Sequence, residues 1–490
     1  METTTLIFIT VLIALVCLLL LWRKREKKPL PGPTGLPLVG YLPFMTKKPY
    51  AKLQELAKIY GPIYRIQLGS YSVVVLCDFQ SIKDAFADDV FMGRPLDIPF
   101  ELSEETLRTG AILGMPWKEQ RRFSLHMFRD LGFGKTRMEE HIKEEILELL
   151  QRIEDYHGSP IKVAELLAPS MSNNITSLIF GKRLKLDDPR RQKLDKLINE
   201  VGRLAGALSW QMFFPWLRAF VSFFNLGNKA KLSRCLLEMK AFVRKEMEEH
   251  EKTLDPNNIR DFMDGYLLEI KKKANDPDTS FTKEVLTDLS RAFFGAGSDT
   301  VRVSVEWTLL LCAAFPEVQK KVQKEIDDVI GRERFPTRAD HLQMPYTEAV
   351  ILEMSRLKTV LPMNLMRLAL KDTELNGYFI PKHSRVLAVI YAIHHDEKLW
   401  GKDTEVFRPE RFLSEDGKKV IKPEYFIPFS IGKRSCVGKA LAETEVFIYV
   451  AAILQKFNVS VPPGKEVDLE GFLGLTYQPK KQELIFKLRQ

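Results

Sequence analysis

FSIGKRSCVGKAL, residues 429–441, is the stretch on which the reading of this chain turns. One cysteine, Cys436, lies between Gly432 and Gly438, with Lys433 and Arg434 before it and Phe429 at the head. A helix-forming run, ALAETEVFIYVAAIL (440–454), overlaps its end. A thiolate that binds a flat cofactor needs close backbone approach, which glycine permits. It also needs stabilisation as an anion. Arg434 is near in sequence, and the N–H groups at the start of the following helix can face the sulfur. Phe429 would wall off water. Cys436 is therefore the candidate ligand of a cofactor or metal. The other four cysteines, Cys17, Cys77, Cys235 and Cys312, are scattered and form no CxxC. A disulfide framework and a structural zinc site are both unsupported, and the setting is reducing.

The chain has 490 residues, nearly half of them apolar, with charges of both signs in quantity, so a large folded body is expected. The net charge is +9, of which residues 1–28 supply +3 (five Lys and Arg against Glu2 and Glu26). A surplus of +6 on so large a body suits an acidic protein partner or anionic lipid and argues little for nucleic acid. Residues 6–22, LIFITVLIALVCLLLLW, carry no charge and are followed at once by RKREKK. That order is the reverse of a cleavable signal peptide and predicts a single membrane span with the body on the cytoplasmic side. KPLPGPTGLPLVG (28–40) cannot continue a helix and reads as a stiff linker or a spacer.

Along the body, GPIYRIQLGSYSVVVLC (61–77) predicts a hairpin turning at Gly69-Ser70, and HSRVLAVIYAI (383–393) another strand. Helical periodicity occupies 137–156, 231–252, 281–315, 317–330 and 346–358. The expectation is a mainly α fold with a small β region fed from both ends of the chain. The predicted organisation is an anchor and basic stop segment (1–28), a hinge (29–40) and one catalytic domain (41–490). LSWQMFFPWLRAFVSFFNLG (208–227) is either core or an apolar loop dipping into the same membrane. There is no HExxH, GxxxxGK[ST] or GxSxG. In FGAGSDT (294–300), Thr300 stands where the third glycine of GxGxxG belongs, and a helical stretch precedes it, so a dinucleotide fold is unsupported. Electrons for any redox work would come from another protein. The adjacent His394 and His395 have no third ligand nearby and are given no metal role.

The pattern Phe429, Gly432, Arg434, Cys436, Gly438 resembles the haem-binding signature of the cytochrome P-450 monooxygenases. EMSR (353–356), FRPERF (407–412), AGSDT (296–300) and WKEQR (117–121) resemble further segments of that family, in its order. The likeness covers essentially the whole chain, and is greatest to the microsomal, membrane-anchored animal branch that oxidises drugs and steroids. The resemblance implies the P-450 fold and haem b with Cys436 as axial thiolate. It implies O2 as cosubstrate and electrons from NADPH through a partner reductase, with cytochrome b5 as a further partner. It places the chain at the endoplasmic reticulum membrane, acting on a lipophilic small molecule. Trp117, Arg121, Arg367 and Arg434 match its propionate partners. Glu353, Arg356 and Arg411 match a buried ion-pair network. Asp299 and Thr300 match the oxygen-activating pair, although Val301 stands where the family favours a second hydroxyl. The substrate-facing positions include Ile98, Phe100, Phe293, Ala296, Leu361 and Leu365. Arg122, Arg129, Lys433 and Lys439 would form a basic docking patch for the electron donor. Haem-thiolate isomerases and dehydratases of peroxides, and a haem-based ligand sensor, remain open as alternatives.

Overall fold

The computed structural model describes residues 29–96, 102–132, 136–207 and 227–490, with a few single positions between 213 and 224. The expected membrane span, residues 6–22, lies outside the described residues. Among the described residues no helix is long and apolar enough to cross a membrane.

A central helix, Lys283–Ala314, organises the body. Thr282 caps it, accepting from the Val285 N–H at 3.3 Å, and Pro316 starts the next helix just beyond its end. It runs along the Val163–Phe180 helix and meets the Lys439–Lys456 helix that follows the cysteine loop. Gly297 makes the first of these contacts possible. A Cβ there would lie 2.9 Å from Ile175 Cδ1, so the glycine serves close helix packing and leaves the helix unbroken. The interior is one large apolar cluster built on Trp307, Phe447, Tyr449, Phe180 and their neighbours, all nearly inaccessible.

The small sheet has four strands. Ile63–Leu68 and Tyr71–Leu76 form the hairpin, with Ile66 opposite Val73. Arg385–Ala388 lies parallel to the second of these, and Arg367–Leu368 closes the sheet. The predicted strand 383–393 is only half strand. The ladder ends when Val389 N–H reaches Leu76, the last residue of its neighbour, and Ile390–His394 then turns helical. That turn carries His394 inward. A second sheet joins Ile161–Lys162, Glu483–Leu488 and Phe457–Ser460.

The Pro/Gly segment is docked onto the hairpin. Arg65 N–H donates to Pro31 O at 2.7 Å, Gly40 bridges to Leu68, and a Cβ at Gly32 would strike Arg65 O. Of the aromatic stretch 208–227 only a few positions are described, and they differ in burial. Phe214 is buried and Phe213 O accepts from Ser70 N–H, whereas Phe220, Phe223 and Phe224 stack on one another at the surface, Phe223 being 83% exposed.

Candidate active site

The cysteine loop is held from three sides. Cys436 N–H donates to Phe429 O at 2.9 Å, closing the loop on itself. Ser430 and Gly432 both take positive φ, +61° and +75°. Gly432 presses on the Phe79–Ala87 helix so closely that a Cβ would lie 2.2 Å from Phe86 O. Gly438, by contrast, has nothing within 4 Å of where its Cβ would be. It sits at the mouth of the Lys439–Lys456 helix, and its backbone N–H favours the Cys436 thiolate. Cys436 is accessible while surrounded by protein mass, and in the metal-free chain that desolvation pushes its thiol up. The charge that opposes the shift comes from Arg121, with Lys439 a smaller contributor. Arg434, expected to stabilise the sulfur, instead turns away. Its guanidinium donates to the carbonyls of Met92, Ile112, Leu113 and Gly114 at 2.8–3.4 Å and lies 4.0 Å over the Trp117 ring.

Four arginines share this region with no carboxylate partner among the described residues. Arg367 is fully buried at the sheet edge, with Nε and Nη2 unpaired and Nη1 near Met92 Sδ. Burial, and then repulsion from Arg94, Arg434 and Arg121, pushes it down to about 8. Arg434 is pushed down to about 8 by burial and by Arg94 and Arg121. The Trp117 Nε1–H is likewise buried without a partner among the described residues. Buried donors are normally satisfied, and buried cations normally paired. This set therefore fits a flat dianionic cofactor whose two carboxylates accept from the indole and the guanidinium forks. Haem with Cys436 as its axial sulfur has that shape and charge. Arg94, which donates to Leu365 O and Met366 O at the same place, was not picked out from the sequence. It is one of 73 Lys and Arg, and nothing in its local pattern separates it from the rest.

Behind the loop lies the ion-pair network. Arg356 Nε and Nη2 reach the two oxygens of Glu353 at 2.7 and 2.8 Å, both residues having no exposure. Glu353 Oε1 also accepts from Arg408 N–H at 3.0 Å and Arg411 Nε at 3.3 Å. Arg411 continues to the carbonyl of Trp400 and to Asp403. Arg356 Nη1 donates to His394 O, and His394 Nε2 accepts from Ile427 N–H at 3.2 Å. His394 is thus a neutral strut between the network and the cysteine loop, and burial holds its pKa well below the ordinary value.

On the central helix, Thr300 Oγ1 donates to Ala296 O at 2.8 Å, which leaves its oxygen lone pairs free to accept. Asp299 pairs with Arg302 at 2.7 Å. Ala296 is exposed and nothing lies within 4 Å of a Cβ at Gly295, so the helix is open at these positions before Thr300. Leu361 is half-buried and Leu365 is 51% exposed. Ile98 and Phe100 lie outside the described residues. Phe293 packs edge-on against Phe128 and Phe262, at 5.2 and 5.4 Å, so its ring serves the core.

A basic concavity of about 560 Å³ is lined by Lys118, Arg121, Arg122, His126, Arg129 and Lys433. It gathers three of the four predicted docking residues. Lys439 is not part of its lining and extends over the Phe429 ring.

An accessible sulfur at a helix mouth, near arginines without carboxylate partners among the described residues, fits a haem-thiolate protein. The cytochrome P450 family model matches residues 30–486. Cytochrome P450 18a1 of Drosophila melanogaster is 37% identical over 98% of this chain and 91% of its own length. Human cytochrome P450 2J2 is 35% identical over 97% and 95%, and rat cytochrome P450 2C7 is 35% identical over 96% and 98%. The chain belongs to the cytochrome P450 family. It is a monooxygenase of the EC 1.14 class that uses haem b with a cysteine thiolate, takes O2 as cosubstrate and draws electrons from NADPH through a redox partner.

Proposed function

We propose that this protein oxidises a lipophilic small molecule at the cytoplasmic face of the endoplasmic reticulum membrane, held there by residues 1–28. The observation that carries the reading is the set of arginines with no carboxylate partner among the described residues (Arg121, Arg367, Arg434, joined by Arg94), with the buried unpaired donors of Trp117 and Arg367, beside the accessible sulfur of Cys436. Haem, when bound, supplies the iron at which dioxygen is activated. Trp117 and the arginines would hold its carboxylates, and Cys436 would be the thiolate that donates electron density to the iron. Phe429 shields the sulfur from water. Glu353, Arg356 and Arg411 keep the cysteine loop in place.

On the central helix, the Thr300 hydroxyl would be available to accept a hydrogen bond from a water, and the Asp299 carboxylate would pass protons inward from solvent. Thr300→Ala should leave the haem spectrum intact and divert NADPH electrons to hydrogen peroxide, lowering product formed per NADPH by roughly tenfold or more. Peroxide and product measured together against NADPH consumed check this; unchanged coupling removes Thr300 from the mechanism. Ala296, Leu361 and Leu365, with Ile98 and Phe100 beyond the described segments, supply the apolar surface for the substrate.

The basic concavity is the docking face for the acidic NADPH-dependent reductase, and for cytochrome b5. Reversing Arg122 and Arg129 to Glu together should raise the apparent KM for the reductase roughly tenfold at low salt, with the difference shrinking as salt is added. An unaltered KM would assign this face to plain solvation. Residues 6–22 anchor the chain, and Phe220, Phe223 and Phe224 form a second apolar contact with the bilayer. Alkaline carbonate extraction should leave the full chain in the membrane pellet and release a chain lacking residues 1–28. Release of the full chain would refute the anchor.

A further inference from the structure

Asp299 is held from outside its own helix. Its Oδ1 lies 2.7 Å from Arg302 Nη2, and Arg302 Nη1 in turn donates to Glu306 Oε2 at 2.6 Å. Its Oδ2 accepts from Thr476 Oγ1 at 2.8 Å and from Gln478 Nε2 at 3.2 Å. Gln478 Nε2 is also 3.0 Å from Thr476 Oγ1, so the two donors brace one another. Thr476 is 1% exposed, Arg302 6% and Glu306 2%. Burial pushes the Glu306 carboxyl up to about 7, against the pull of Arg302. Both oxygens of Asp299 are therefore occupied, and half of that grip comes from a turn more than 170 residues away in the chain.

That grip is not the hairpin's sole attachment. The hairpin Gly471–Leu473/Tyr477–Pro479 is fastened to the body by other bonds. Trp307 Nε1 donates to Tyr477 O at 3.0 Å, Tyr477 N–H donates to Val360 O at 2.8 Å, and the Trp307 and Tyr477 rings stack at 5.7 Å. The buried Thr476 hydroxyl is aimed at a carboxylate and not at the backbone that these attachments use. It does fix the carboxylate next to Thr300.

We propose that Thr476 and Gln478 on this hairpin, with Arg302, are positioning residues for oxygen activation: they hold the Asp299 carboxylate in one orientation beside Thr300. This rests on the reading of Asp299 and Thr300 as the proton-handling pair. Productive turnover puts one oxygen atom of O2 into the substrate and reduces the other to water, using two electrons and two protons. When protons arrive late, the same two electrons and two protons leave with O2 as hydrogen peroxide. A carboxylate that swings between orientations delivers protons less often, so the partition shifts toward peroxide.

Thr476→Val keeps the shape of the side chain and deletes the hydroxyl. In the haem-loaded enzyme it should raise the ratio of peroxide to product roughly tenfold, the low end of what a hydrogen bond to a charged group is worth. Thr476→Ser should restore the parent ratio. In an Asp299→Asn background Thr476→Val should change nothing further, because its effect passes through that carboxylate. Amide hydrogen exchange across 471–479 in the resting protein should match the parent, since Trp307 and Val360 still hold the hairpin. If Asp299→Asn itself leaves coupling untouched, the parent reading falls and this inference with it. If Asp299→Asn uncouples while Thr476→Val does not, the positioning role alone is overturned. An effect of Thr476→Val that persists in the Asp299→Asn background, or faster exchange in the hairpin, would also overturn it.

Discussion

Replacing Cys436 with Ser should abolish the red-shifted Soret band of the carbon monoxide complex and reduce monooxygenase turnover by more than ~100-fold, since even outer partners of a metal ligand are worth ~10–100-fold. The sulfur is the group that donates charge to iron from that side. The same variant should still take up some haem. Trp117, Arg121, Arg367, Arg434 and Arg94 are untouched by it, and their buried donors still seek two carboxylates. Total haem measured after denaturation, set against the carbon monoxide spectrum, separates the two effects. A Cys436→Ser variant that keeps the red-shifted band in folded protein would place the ligand elsewhere.

Glu353→Ala should produce little haem-loaded protein, with a loss of stability of ~3–5 kcal/mol, the cost of leaving a buried charge without its partner. The geometry explains why the figure belongs at the high end of what single substitutions do. Glu353 accepts from Arg356 at two oxygens, from Arg408 N–H and from Arg411, so its removal strands the buried Arg356 guanidinium and one backbone donor, while Arg411 keeps Asp403. Arg356 also carries His394, and His394 carries Ile427, two residues before the loop closes at Phe429. Glu353→Gln, which keeps the shape and loses the charge, should fall between the two. Denaturant titration and haem content of purified protein check both variants. Normal haem incorporation in Glu353→Ala would refute the structural role of the network.

The sequence was most informative where one local pattern dictates one local structure. The central helix could be bounded by its cap at Thr282 and the proline at 316, because both act through the backbone of adjacent residues. The hairpin at 61–77 was readable for the same reason. The strand at 383–393 misled halfway, because its β-branched run says nothing about where the neighbouring strand stops. Arg434 misled because proximity in sequence to Cys436 does not fix the direction of a long side chain; three carbonyls from 112–114 claim it. Arg94 was invisible, and so was the grip of Thr476 and Gln478 on Asp299, since these are contacts made across 170 residues or more. Phe293, placed among the substrate-facing positions by resemblance, also packs into an aromatic cluster with Phe128 and Phe262, a contact no local pattern announces.

The contact between Gly432 and Phe86 O changes what the first glycine of the cysteine loop is for. A bulkier or left-handed-averse residue there would fail even in a protein that bound no iron, because the obstacle is a carbonyl on a distant helix and not the porphyrin. Half of what looks like a ligand motif is thus an interlocking joint between two parts of the chain lying more than three hundred positions apart. Substitution in such a stretch is barred on two unrelated grounds, one chemical and one architectural, and only the second is legible at position 432.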